Sequence, residues 1–478
     1  MTLPRIFLGG GSAFVGLISG YALYAGGYPA DWVPWVVTLS LGWLALFTLT
    51  TWFQFGTVYQ FTIVYAIVLM LFHLGITIPE AFGLMEELHW ESATPNQWLA
   101  MGGWCVCLAL GSYGFGVSLG MRSEQELDGH YEPLTPAQRE HFQLGFECGV
   151  GLLIASIGLL AWTTMMVGSL LNFSRLDFFT GIGDTRGFGV ALMALPSAGI
   201  LLVICATTPT QRWVGAAGAL FIALVLMGSG YRTSVLYPLM TGAVLWYKLV
   251  GRIPAWLAGS AVVGVMLLIP IIGVLRAAGP YKDMNVKLIQ ESAKSATMAE
   301  AFRTMGQTGG LAAEVIRLVP REDPFRHGST YLEAFLRSVP NVGSTISSSQ
   351  RRAVAESDFL SADRFNSLPP SDWLTYRLIP EKFGAGEGTG FTSVGEAYLN
   401  FGYAGVVGFF ALLGFFLARL DAADLKSSAW LLLFACISFW HLSRTVRDDF
   451  TNWVKPSVFL AAMVFAFIAL RRMIWRRT

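Results

Sequence analysis

The residues in this chain best equipped for chemistry are arginines, a glutamate and two histidines set against apolar runs. Arg232 follows Gly228-Ser229-Gly230 and leads into one run, and Arg276 closes another. Arg175 and Arg186 flank a short polar segment, Arg444 and Arg447 share one with Asp448 and Asp449, and Arg351 follows a serine-rich stretch. A guanidinium stays charged and presents a planar fork of donors, a geometry that suits phosphate. Taken singly, such arginines also snorkel to headgroups or pair with nearby acids. Several of them near one membrane face favour anion binding. Arg232 and Arg276 have little acid around them, whereas Arg447 adjoins two aspartates.

Glu396 stands at the mouth of an apolar run, in Gly395-Glu396-Ala397-Tyr398-Leu399-Asn400. A carboxylate at that depth is costly unless it is paired or useful. Three uses fit: a general base for a hydroxyl, an orienter of an arginine, or an acid complementing a helix N-terminus. His327, in Arg326-His327-Gly328, is the one histidine of a long polar segment and a second candidate base. His441 lies near Arg444 and is a candidate for the same site, and His73 reads as a buried hydrogen-bonding group.

The elements that position these residues are membrane helices. Charged residues make up 13% of the chain, against about 25% in soluble proteins, and mean hydropathy is +0.55. A spanning helix needs about 20 mostly apolar residues. About a dozen runs approach that criterion: 7–25, 33–53, 58–78, 98–121, 144–171, 188–206, 214–227, 235–249, 256–274, 401–420, 430–442 and 458–474. They are continuous and too long for barrel strands, so the expected fold is all-α and polytopic. The first run has no convincing cleavage site and reads as a retained span. The five cysteines lie in or beside apolar runs and read as small core residues. Net charge is +1, and no basic run argues for nucleic acid.

The C-terminus carries Arg471, Arg472, Arg476 and Arg477, which the positive-inside tendency places in the cytoplasm. Counting back puts Arg419, Lys426, Lys248, Arg252, Arg212, Arg122, Arg139 and Arg5 on the same side. Both termini are then inside, and the candidate arginines are near the outer face.

Three regions follow: spans in residues 1–278, a polar insert at 279–400, and spans with a basic tail at 401–478. Inserts of this length are uncommon unless functional. Helical periodicity occurs at 295–305, 311–318 and 330–338, with Pro320 and Pro340 as stops. These short amphipathic helices fit the outer leaflet or the rim of a cavity. Gly384, Gly386, Gly388 and Gly390 form a turn-rich stretch without the lysine of a nucleotide-binding loop. Glu86, Glu87 and Glu91 read as a solvated face. Nucleotide-binding, zinc-protease and nucleophile-elbow motifs are absent from the sequence.

Tyr331-Leu332 through Pro340-Asn341, the glycine-rich turn and the run from Gly395-Glu396 through Gly402-Tyr403-Ala404-Gly405 resemble the bacterial O-antigen polymerase family, the Wzy proteins. Arg232-Thr233 at the opening of a span fits the same pattern. The resemblance is strongest between residues 228 and 415. It implies a glycosyltransferase of the inner membrane with a GT-C-like architecture and a periplasmic insert. It would join oligosaccharide repeat units carried on undecaprenyl diphosphate, with neither metal nor other cofactor. It also implies a chain-length regulator as a partner. Arg232 and Arg276 would hold the donor diphosphate, with Arg175, Arg186, Arg351, Arg444, Arg447, Tyr398 and His441 as further substrate contacts. Glu396 would be the first candidate base and His327 the second. The competing expectations are a lipid-oligosaccharide ligase, disfavoured by the absence of a clear ligase-like histidine motif, and a transporter, disfavoured by the absence of an internal repeat.

Overall fold

A computed structural model describes residues 2–26, 31–84, 94–122, 133–167, 186–228, 233–254, 256–257, 260, 264, 297–339, 368–384 and 388–475. Its first membrane-type helices are α1 (Leu3–Ala25), α2 (Trp32–Phe55), α3 (Phe61–Leu74), the short α4 (Thr77–Ala81), α5 (Asn96–Gly120) and α6 (Pro136–Val167). They are followed by α7 (Arg186–Ile204), α8 (Pro209–Gly228) and α9 (Thr233–Leu249). The polar insert contributes α10 (Met298–Gly306), α11 (Thr308–Leu318), α12 (Ser329–Leu336), α13 (Pro370–Leu378) and α14 (Pro380–Gly384). The chain closes with α15 (Ser393–Asp421), α16 (Ala429–Arg444) and α17 (Thr451–Trp475). Each apolar run of the sequence coincides with a described helix except 256–274, most of which lies outside the described residues. Among the described residues, 6 helices are long and apolar enough to cross a membrane. Shorter apolar helices at Phe61–Leu74, Met193–Ile204 and Ala429–Arg444 accompany them.

The central helix is α5. Its spanning window is 89% buried, against 33% for α1. Small residues allow that burial. A Cβ on Gly116 would lie 1.9 Å from the Ala411 carbonyl oxygen of α15, and one on Gly414 would lie 2.1 Å from that of Tyr113. The two backbones therefore touch, the close approach that small residues give membrane helices. The cysteines, His73 and Tyr113 lie in this interior. His73 Nδ1 bonds the Leu69 carbonyl at 2.9 Å, and its Nε2 meets the Thr392 hydroxyl.

One end of α3 is fastened by a buried ion pair. Asp421 accepts from the amides of Phe61 (2.8 Å) and Thr62 (2.9 Å) and from the Thr62 hydroxyl (2.8 Å). Lys248 Nζ lies 3.3 Å from the Asp421 carboxylate and donates to Gln60 at 2.8 Å. His73, at the other end of the helix, is about 18 Å away at 1.5 Å per residue.

The insert helices do not float on the bundle. Thr297 caps α10 by accepting from the Glu300 amide at 3.1 Å, half of a capping box. Next, α10 packs on α3 and α4, while α11 wedges against α5, α15 and α3. Glu314 of α11 is buried and held by Arg317 (2.7 Å) and the Thr94 hydroxyl (2.5 Å). α12 lies on α17 and α15. The sequence placed helices at 295–305, 311–318 and 330–338, close to where they form. It did not anticipate α13 and α14.

α15 breaks about two turns after its start. Phe401 (φ −141°) and Gly402 (φ 63°, ψ −151°) leave helical geometry. The left-handed φ is open to glycine at little cost. Thus 393–400 is a separate helical stub, and the apolar run starts beyond Gly402.

Candidate active site

The break in α15 leaves the Leu399 and Asn400 carbonyls without their helical donors, and residues of the insert take them. The Arg326 amide donates to Leu399 O at 2.9 Å, and the His327 amide to Asn400 O at 3.0 Å. Asn400 completes the join: its Oδ1 accepts from the Gly328 amide (2.8 Å), and its Nδ2 donates to Thr330 Oγ1 (2.7 Å) and Glu396 O (2.9 Å). This sets the N-terminus of α12 against the stub.

Glu396 is 2% exposed. Its Oε1 accepts from the Thr330 hydroxyl at 2.8 Å, and its Oε2 from the Phe450 amide at 2.7 Å. One carboxylate therefore links α12, α15 and the loop between α16 and α17. The same loop is held along its length. The Phe391 amide donates to Arg447 O and the Ser393 amide to Thr445 O, both at 3.1 Å. Gly390 (φ +85°) lets the strand pass close, since a Cβ there would sit 3.3 Å from the Arg447 carbonyl oxygen. Asp449 accepts from the Ser371 hydroxyl (2.6 Å) and the Thr451 amide (3.1 Å), tying α13 to the start of α17. Burial pushes the Asp449 carboxyl above its ordinary value, with Asp448 adding to the shift.

The clamped loop presents Arg447. Its guanidinium is half-buried and makes no ion pair or side-chain hydrogen bond among the described residues. Arg444, by contrast, pairs with Asp448 at 2.6 Å. Among the described residues of the insert, five arginines are occupied: Arg303 on Glu300, Arg317 on Glu314 and Glu322, Arg337 on Glu333, Arg377 on Asp323, and Arg321 over the Trp98 ring at 4.2 Å. Arg447 is thus a cation in a partly desolvated position with no ion-pair partner among the described residues, which favours an anionic ligand.

The other expected site residues fall in different places. His327 is exposed, at left-handed φ 48°, next to the Asn400 join. Tyr398 is 6% exposed, packed on Phe325 and Tyr403, with its hydroxyl 3.4 Å from the Val319 carbonyl oxygen. His441 is fully buried with its ring centroid 3.6 Å from Trp440, and neither nitrogen has a partner among the described residues. Arg186 opens α7. Arg232, Arg276, Arg175 and Arg351 lie outside the described residues, as do Gly386, Glu86, Glu87 and Glu91. Sequence reasoning missed Thr330, Phe450 and Ser371. Thr330 sits one residue after Gly328-Ser329, a cap-like signal, but nothing local links it to a glutamate 66 residues away.

The curated proteins and the solved structures return no match to this chain. A family model described as O-antigen polysaccharide polymerase Wzy matches residues 151–477, a span that includes the stub, the clamped loop and the insert. The chain belongs to this family of multi-pass membrane proteins, which polymerise O-antigen from lipid-linked oligosaccharide repeat units.

Proposed function

We propose that the chain joins repeat units carried on undecaprenyl diphosphate, at the periplasmic face of the inner membrane and without a metal ion. The full reading has about twelve spans by the length criterion, a GT-C-like arrangement, cytoplasmic termini and a chain-length regulator as partner. The observation that carries it is Arg447, without an ion-pair partner among the described residues, on a loop fixed by Glu396, Phe391 and Ser393. In this reading Arg447 holds the donor diphosphate, with Arg444 beside it and Arg232, which directly precedes α9, completing the set with Arg276. As the bond between the sugar anomeric carbon and the diphosphate breaks, negative charge grows on the leaving oxygen. Fixed guanidinium donors stabilise that charge without reorganising. The acceptor hydroxyl forms the new glycosidic bond and gives up its proton.

The geometry supports the second of the three uses open to Glu396. A carboxylate whose two oxygens are already engaged, and which is buried, is better placed to orient the arginine loop than to meet a sugar. His327, exposed beside the same hydrogen-bonded join, is the group we assign to take the proton. The test is extension of a single lipid-diphosphate-linked repeat by purified protein. A ladder from that one substrate supports polymerisation. Transfer only when a different acceptor is added would make the protein a ligase, and no transfer would return weight to transport.

A further inference from the structure

Beneath the arginine loop, the helix interior holds a phenol without a hydrogen-bond partner among the described residues. Tyr237 of α9 is 1% exposed and Tyr65 of α3 is fully buried. The Tyr237 phenolic oxygen has no hydrogen-bond partner among the described residues. The two tyrosines are neighbours. Tyr65 faces Ser393 and Thr445, the residues at which the stub and the arginine loop are joined. Tyr237 has Arg447, Arg444, Asp448 and Tyr65 as its electrostatic neighbours. Its ring packs on Phe72, with centroids 5.8 Å apart, so the phenol is held and not free to turn away.

Buried polar groups in native proteins are nearly always satisfied, and an exception calls for an explanation. Here the exception is on α9, which packs against α16, the helix that ends at Arg444 just before the arginine loop. Phenols and hydroxyls donate to anionic oxygens, and such bonds are about twice as strong as neutral ones. Resting on the assignment of Arg447 to the donor diphosphate, we infer that Tyr237, with Tyr65 behind it, forms the inner wall of that subsite and donates to a phosphate oxygen. The chemical class recognised is a polyprenyl diphosphate, glycan-linked in the donor and free in the product. Tyr237 is then a binding residue that fixes how deep the headgroup sits, and Arg447 covers it from the loop side.

Tyr237→Phe is an informative variant because the hydroxyl has no partner to lose among the described residues. A purely structural phenol predicts a variant as stable as wild type, or more so, with unaltered binding. The experiment titrates detergent-purified full-length protein with geranylgeranyl diphosphate. Inorganic pyrophosphate and phosphatidylglycerol serve as competitors, and melting is followed in parallel. The expected result is a loss of affinity of roughly tenfold to a hundredfold in Tyr237→Phe, the range for one hydrogen bond to a charged group. Melting should be unchanged, a comparable or larger loss should appear in Arg447→Ala, and phosphatidylglycerol should compete poorly. Pyrophosphate competition would show that the headgroup alone is recognised, which supports the inference. If Arg447→Ala weakens binding and Tyr237→Phe does not, the inference is overturned while the role of Arg447 stands. If wild type does not bind, or Arg447→Ala binds as well as wild type, both fall. Equal competition by phosphatidylglycerol would overturn the assignment to a diphosphate.

Discussion

Replacing Glu396 in two ways separates a base from a positioning residue. Glu396→Gln is nearly isosteric. The amide oxygen can accept from the Phe450 amide, now 2.7 Å from Oε2, and the amide nitrogen can donate to Thr330 Oγ1, now 2.8 Å from Oε1, after that hydroxyl rotates. The loop clamp survives. Glu396→Ala leaves the Phe450 amide and the Thr330 hydroxyl without an acceptor, at about 1–3 kcal/mol each. The total of roughly 2–6 kcal/mol acts on the segment that aims Arg447. Misplacement by about 1 Å already costs on the order of a hundredfold in rate. Initial rates of ladder formation from a lipid-linked repeat should therefore stay within about tenfold of wild type for Gln and fall by a hundredfold or more for Ala. Melting curves of both proteins must be recorded alongside. Equal inactivation by Gln and Ala in folded protein would refute the reasoning and make Glu396 the base.

The remaining expectations concern stability. Asp421→Ala strips three hydrogen bonds from α3 and strands Lys248 in the interior, so the variant should lose about 3–5 kcal/mol. A drop in melting temperature small enough to match a surface mutation would show that the pair is not structural. Gly116→Ala forces a Cβ to within 1.9 Å of the Ala411 carbonyl oxygen, so α5 and α15 must separate. The expected cost is about 1–3 kcal/mol, read by the same melt, and an unaltered melt would contradict the close packing. For Asp449, burial raises the folded value above the ordinary 3.8. The folded state binds this proton more tightly, so the group's contribution to stability is complete at low pH and is lost as pH rises through the folded value. Melting of wild type from about pH 4 upward should carry this downward component, and Asp449→Asn should be flatter. Parallel slopes would contradict it.

What was legible in the sequence is what depends on local chemistry. Continuous apolar runs such as 98–121 and 401–420 became helices because a buried backbone must pair with itself. Helical periodicity and the stops at Pro320 and Pro340 set the insert helices within a few residues. The tertiary joins were not legible. Nothing near Asn400 announces that its carbonyl will bond the His327 amide, because the cause is a backbone break whose φ value no composition reveals. Glu396 was visible as a costly carboxylate, but its use depends on Phe450 and Thr330, which come from distant elements. Tyr398, expected as a substrate contact, is packed in the core, since the stub turns that face toward Phe325 and Tyr403. In the sequence Arg447 adjoins two aspartates. In the fold, Asp448 pairs with Arg444 and Asp449 with Ser371, which leaves Arg447 available.

The most direct test of the central claim is the rate of ladder growth by purified Arg447→Ala against wild type, on one lipid-diphosphate-linked repeat, with a chelator present and no nucleotide. The account predicts a ladder from wild type under those conditions and a loss of a hundredfold or more in the variant, typical of removing a donor to developing charge, with melting unchanged. A variant that polymerises at the wild-type rate, or a wild type that needs added metal, would contradict it.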